Sequence, residues 1–282
     1  MMAAPRSPRR PARSAQMAAA VLVALVGAVA ATAQAAVMAA PGPLELRGAT
    51  RVDVDDARGI WTATGAPAEL VRGDVRLRAP RLRYDVRAGV VSADGGVEAT
   101  APGVEAQAEH AELRLDDEWL RADGDVRLAA RQGPVPVQVR APRVDGSLRT
   151  RRFVATGGVT VVRGEATLVG QRVDYDDRTR TAVVTGAPEL RVREARLEAQ
   201  TLVLLVDDER VTGEGGVRVR RGDLVATAAR ADLRLREGVA TLAGNARAQR
   251  GADVITAAEL VVALDGSSIV ARGAPRLTIT PP

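Results

Sequence analysis

The chain has 282 residues, a formal net charge of +5, no cysteine, one histidine, and only two Trp, two Tyr and one Phe. The missing cysteines exclude disulfides and thiolate chemistry. Basic charge without a concentrated stripe or stacking aromatics gives no footing for nucleic-acid binding.

Residues 1–35 read as a targeting segment. Arg6, Arg9, Arg10 and Arg13 make a basic start, Met17 to Ala31 is an apolar run, and Ala33-Gln34-Ala35 fits a small-x-small cleavage site. The run is short of the roughly 20 apolar residues that span a bilayer. A cleaved signal peptide is therefore expected, with a retained membrane anchor as the alternative. The segment holds four Arg and no acid, so the remainder carries +1. Residues 36–43 read as a linker, and residues 44–282 as one repeat domain.

Glycines set the period. Gly65 and Gly95 are 30 residues apart, Gly95 and Gly124 are 29 apart, and Gly124 and Gly157 are 33 apart. Gly157, Gly186, Gly215, Gly244 and Gly273 then recur every 29 residues. A fixed period of this size means one supersecondary unit stacked on copies of itself. The interval of 33 contains Arg131-Gln132-Gly133-Pro134-Val135-Pro136, which lengthens one turn; the interval of 30 suggests one extra bulged residue.

Each repeat holds two strands and two turns. In the unit at Gly157, Val159-Thr160-Val161-Val162 alternates and is β-branched, as a strand requires. Arg163-Gly164-Glu165 is a turn, echoed at Arg72-Gly73-Asp74, Arg221-Gly222-Asp223 and Arg250-Gly251-Ala252. A second strand runs from Ala166 to about Tyr175. A second turn follows at Asp176-Asp177-Arg178, read as solvated carboxylates. Between Leu44 and Ile279 this predicts 16 antiparallel strands.

The second strand of each unit presents four apolar positions, found 18, 16, 13 and 11 residues before the next marker glycine. They are Leu77, Ala79, Leu82 and Tyr84; Leu168, Gly170, Val173 and Tyr175; and Leu197, Ala199, Leu202 and Leu204. Ala226, Ala228, Ala231 and Leu233 follow, then Ile255, Ala257, Leu260 and Val262. Alternation puts each pair on one face, and the step of three flips the face unless a residue is bulged out. The strand is therefore expected to bend and keep both pairs inward. The marker glycine does the same for its neighbour by tolerating positive φ. The expected fold is all-β: an elongated antiparallel β-jelly roll in which bent strands form two facing sheets.

Small interior side chains and few rings suggest an apolar groove between the sheets, suited to a long acyl ligand; a fully packed core is the plainer alternative. The candidate lipid-binding positions are Leu168, Val173, Tyr175, Leu197, Leu202, Leu204, Leu233, Ile255, Leu260 and Val262. The first strand, about Leu44–Val54, and the last, about Ser268–Ile279, are unpaired edges. Val52, Val54, Val270, Leu277 and Ile279 are their candidate partner contacts. Outward, the column Thr160, Glu189, Arg218, Arg247 and Arg276 grows basic toward the C-terminus, with Arg163, Arg221 and Arg250 nearby. His110 stands without ligand-spaced neighbours. No catalytic constellation, cofactor site or metal site is expected.

The unit FVATGGVTVVRGEATLVGQRVDYDDRTRTAVVTG resembles the OstA-like family of lipopolysaccharide-transport proteins, which includes LptA, LptC and the LptD N-terminal domain. LELRGATRVDVDDARGIWTATG and VRGDVRLRAPRLRYDVRAGVVSADGGVEA show the same order of elements. The resemblance spans about residues 44–279. It implies an open β-jelly roll that sandwiches lipid A acyl chains, bridges the inner and outer membranes in the periplasm, and pairs head to tail with copies or other transport components. The targeting segment favours an LptA-like role; an LptC-like inner-membrane component and a structural or adhesive repeat without lipid cargo are the alternatives.

Overall fold

The structure is a computed structural model that describes residues 45–131 and 135–279. The targeting segment, the linker, Leu44 and Pro281-Pro282 lie outside the described residues. The strands are β1 (Glu45–Asp55), β2 (Ile60–Arg72), β3 (Val75–Asp85), β4 (Val90–Ala101), β5 (Val104–Arg114), β6 (Trp119–Ala130) and β7 (Val137–Ser147). β8 (Arg152–Arg163), β9 (Ala166–Asp176), β10 (Thr181–Thr185), β11 (Glu189–Val192), β12 (Ala195–Glu198) and β13 (Thr201–Leu205) follow. The series ends with β14 (Arg210–Arg221), β15 (Leu224–Arg234), β16 (Val239–Arg250), β17 (Asp253–Ala263), β18 (Ile269–Arg272) and β19 (Arg276–Thr278). Three of the 16 expected strands are each split at the bend, as β10 with β11, β12 with β13 and β18 with β19, which gives the 19 segments. Every pairing is antiparallel between sequence neighbours, so the chain is one long meander with β1 at one edge and β18–β19 at the other.

The bend has a uniform chemical cause. Between β16 and β17 the pairing passes from Ala243–Glu259 to Ala246–Ala257, so Gly244 and Asn245 lie opposite Ala258 alone. Between β14 and β15, Gly215 and Gly216 lie opposite Ala229 in the same way. Two residues against one is a β-bulge, which sharpens twist and bends the strand. The marker glycines from Gly95 to Gly273 have φ between +74° and +93°. The residue after each is also left-handed: Gly96, Asp125, Gly158, Ala187, Gly216, Asn245 and Ala274. The two positions are not equivalent. A Cβ on Gly186 would stand 2.4 Å from Gln171 Cβ, whereas one on Gly158 would meet nothing within 4 Å. The first residue must be glycine for space and backbone alike; the second is constrained by backbone alone.

Gly65 departs from the series. It is not left-handed; Gly48 of β1 is, at φ +65°. Three residues, Gly65 to Pro67, separate the paired Thr64 and Ala68, where other bulges have two. That accounts for the interval of 30. The interval of 33 is accounted for by the connection between Ala130 of β6 and Val137 of β7.

Because both halves of a strand keep their apolar side chains on one face, the bulge folds the sheet over that face. β9 shows the pattern: Ala166, Leu168, Gly170, Val173 and Tyr175 are buried, and the residues between them are not. No other element covers the sheet among the described residues, so leucines such as Leu202, Leu204, Leu242 and Leu260, all 0% exposed, are covered by the facing half. Each fully buried leucine contributes about 1.5–3 kcal/mol. Phe153 packs across Gly146 on the neighbouring strand, where any Cβ would fall inside the ring. The outer face is polar and carries ion pairs such as those on Asp145, from Arg121 Nε across the strands at 2.9 Å and from Arg143 Nε along β7 at 2.7 Å. Exposed pairs of this kind are worth little individually.

The turns form two rims. Two-residue turns, including 73–74, 164–165, 222–223 and 251–252, line one rim. Four-residue turns, at 56–59, 86–89, 115–118, 148–151, 177–180, 206–209 and 235–238, line the other. The four-residue turns are laddered: Leu148 N donates to Glu118 O, Asp177 N to Arg151 O, Val206 N to Arg180 O and Leu235 N to Glu209 O, at 2.8–3.0 Å.

Candidate functional site: the folded interior and its rims

The interior runs along the whole meander but is filled unevenly. From β6 to β17 one contiguous core includes Val126, Val161, Leu168, Leu202, Leu233 and Leu260. A second, smaller core of Ala63, Ala68, Ala79, Leu82, Ala93 and Val97 lies in β2–β4. Between them the inward positions of β5 are Ala106, Ala108, Ala111 and Leu113, and all four are only half-buried. The inward positions of β5 are thus the more open part of the interior between the two cores, while the C-terminal interior is filled by leucine, valine and alanine.

Of the candidate interior residues, Leu168, Val173, Tyr175, Leu197, Leu202, Leu204, Leu233, Leu260 and Val262 are buried in that larger core, and Ile255 packs against it half-buried. The candidate edge residues are exposed: Val52 51%, Val54 52%, Val270 49%, Leu277 59% and Ile279 64%. Val52 is paired with Ala63 and Leu277 with Ile255, so both continue the inward columns to the two ends. Val270 is paired with Val261, next to the inward pair Leu260–Ala271, and so faces outward. Trp61, which the glycine spacing alone did not single out, is paired with both Val54 and Tyr84 and extends the inward face at the β1 end. Its signal was its register against Tyr84.

One polar cluster interrupts the apolar interior. Asp177 occupies the place that Val86, Leu115, Leu148, Val206, Leu235 and Leu264 hold in other four-residue turns. It is only 3% exposed, so the expectation of a solvated turn carboxylate is corrected here. Tyr175 Oη donates to Asp177 Oδ1 at 3.1 Å, Arg180 Nη1 donates to the same oxygen at 3.2 Å, and Arg151 pairs with Oδ2. Burial, together with the nearby Asp177, pushes the Tyr175 hydroxyl well above its ordinary value, although Arg180 opposes the shift. A neutral, donating phenol is what this carboxylate needs.

The rims meet above this cluster. Arg163 ends β8 on the two-residue rim and is buried, where Glu209 and Arg180 of the other rim act on its charge. Burial lowers the affinity of its guanidinium for the proton; Glu209 offsets this and Arg180 adds to it. Farther along, Arg250 Nη2 donates to Gly266 O at 3.2 Å, and Arg221 Nη1 lies against Gly266. His110 is on the outer face, with Nδ1 2.6 Å from Asp94 Oδ1, beside Arg81, Ser92 and Glu112 in a shallow depression. Among the described residues no group of three or more His, Cys, Asp or Glu side chains is placed to hold a metal ion, and no helix is long and apolar enough to cross a membrane.

Residues 138–267, a little under half of the chain, match the family described as LptA/(LptD N-terminal domain) LPS transport protein. No curated protein is a significant match. Eighteen chains of solved structures match. One is LptH, the LptA homologous periplasmic component of the conserved lipopolysaccharide transport device from Pseudomonas aeruginosa; it is 13% identical, aligned over 54% of this chain and 95% of that one, with a TM-score of 0.27. The family match covers β7 to β17, and that segment is similar to the LptA/(LptD N-terminal domain) family.

Proposed function

We propose that this protein carries lipopolysaccharide through the periplasm as part of a bridge between the membranes, with the acyl chains lying between the two facing halves of its strands. The observation that carries the reading is the inward apolar face: it crosses the strands from β1 to β19, is half-open at β5, and is exposed at both ends. Apolar surface left at the ends of an otherwise polar-coated body favours association, and an edge strand is a template for pairing with another chain. β1 and β18–β19 would take a second copy or another transport component in this way. The family description supports the cargo, and the targeting segment supports export. Leu168, Val173, Tyr175, Leu197, Leu202, Leu204, Leu233, Ile255, Leu260 and Val262 line the proposed path, and no chemical step is involved. An LptC-like anchored role would differ in residues 1–35, not in the interior.

The fully buried leucines of the C-terminal half favour a second reading, a structural repeat with a dry core. Filling the half-open stretch separates the two. Ala111→Trp is expected to lower lipopolysaccharide retention by the purified protein at least tenfold while leaving its melting temperature within a few degrees. A wild-type protein that retains no lipopolysaccharide would support the dry-core reading. Equal retention by wild type and Ala111→Trp would overturn a path through β5.

A further inference from the structure

The alternation that turns Val159 and Val161 inward, carried one step further, turns Arg163 inward as well. Its register partners Val137 and Ala166 are both buried. The same place in other repeats is apolar at Ala101, Ala130 and Val192 and arginine at Arg72, Arg221 and Arg250, each opposite the first residue of the following strand. An arginine row therefore lies just inside one rim, above the apolar columns. Arg221 and Arg250 reach across to Gly266. Arg163 is different: it is 7% exposed, and its Nε and Nη1 have no hydrogen-bond partner.

A buried guanidinium with unmet donors is costly unless an acceptor completes it. The neighbouring carboxylates are already engaged. Glu209 accepts from Arg236 Nε at 3.3 Å, and Asp177 is held by Tyr175, Arg151 and Arg180, the last of which also reaches Asp207. Four arginines (Arg151, Arg163, Arg180 and Arg236) face three carboxylates (Asp177, Asp207 and Glu209), which leaves one positive charge in excess. A planar, permanently charged donor group at the border between an apolar interior and the rim matches an oxyanion attached to an apolar body.

We propose that Arg163 is an oxyanion site that takes a phosphate group of an amphiphile whose chains lie between the walls. The amphiphile rests on the carrier reading; the oxyanion rests on Arg163 alone, and free phosphate has the same chemistry. The test uses the full chain with three probes: lipopolysaccharide, the same lipopolysaccharide enzymatically dephosphorylated, and inorganic pyrophosphate. Wild type is expected to hold the phosphorylated form about tenfold more tightly than the dephosphorylated one. Arg163→Met should abolish that difference, Arg163→Lys should restore part of it, and Arg218→Met on the outer face should keep it. Arg163→Met should melt at or above wild type, because an unpaired buried charge is removed. If wild type holds neither lipid form while pyrophosphate raises its melting temperature through Arg163, the oxyanion site stands with free phosphate as its source and the carrier reading fails. Equal affinity for the two lipid forms, with no response to pyrophosphate, overturns the site whether or not lipid is carried.

Discussion

Gly186→Val is expected to destabilise the protein by about 2–5 kcal/mol, read as a shift of the urea unfolding midpoint by circular dichroism. Two costs add. A side chain at φ +79° pays roughly 1–2 kcal/mol for the left-handed backbone, more when β-branched. The new Cβ would also lie 2.4 Å from Gln171 Cβ and 3.3 Å from its backbone nitrogen, and forcing atoms into a packed site costs about 1–3 kcal/mol. Gly158→Ala isolates the first cost, since nothing lies within 4 Å of its Cβ; it should lose only about 1–2 kcal/mol. Equal losses at Gly158 and Gly186 would mean that the opposing strand does not set the bend. Repeat arrays can unfold segment by segment, so the slope of the transition must be compared together with the midpoint.

Removing Arg151 and Arg180 together, as methionines, is expected to cost about 3–5 kcal/mol, the range for stripping partners from a buried charge. Asp177 would keep only the Tyr175 hydroxyl as a side-chain partner. Adding Asp177→Leu to that double variant should recover part of the loss, because leucine is what several other four-residue turns hold at this place. Asp177→Leu by itself should cost about 1–3 kcal/mol, because the buried Tyr175 hydroxyl loses its acceptor, while the partly exposed Arg151 and Arg180 can turn to water. Thermal melts of the three variants check this. A double variant as stable as wild type would show that the cluster contributes no net stability.

The repeat, the number of strands and the bend were legible because each is written in local chemistry. The four inward positions before a marker glycine can be read without any tertiary knowledge, and the left-handed pair at each bulge selects glycine, or asparagine and aspartate, by backbone sterics. Ala187 and Ala274 depart from that selection at the second position of the pair. What was not legible depends on the fold-over. Arg163-Gly164-Glu165 reads as a solvated turn, and only the closeness of the opposite rim makes Arg163 a buried residue. Asp177 sits in a run of turn residues that look exposed in any linear reading; its alignment with Val206 and Leu235 is the signal that reveals it. The division of the interior into a filled C-terminal half and a half-open β5 does not follow from the strand's own side-chain volumes: β15 carries the same three alanines and one leucine, at Ala226, Ala228, Ala231 and Leu233, and is buried, so what faces each strand decides. Ala106 stands where β9 places Leu168, and Ala111 where β13 places Leu202, yet walls of unequal filling are visible only once they face each other.

The central claim is that the inner face, not the outer one, is the path of the lipid. Photo-crosslinking residues placed one at a time at Leu113, Leu204 and Arg218 test it directly in cells that make lipopolysaccharide. Leu113 is inward and half-buried, Leu204 is inward and closed over, and Arg218 is outward and exposed. The account predicts strong labelling of lipopolysaccharide from Leu113, weaker labelling from Leu204, which requires the walls to part, and none from Arg218. Labelling from Leu113 no stronger than from Arg218 would contradict it.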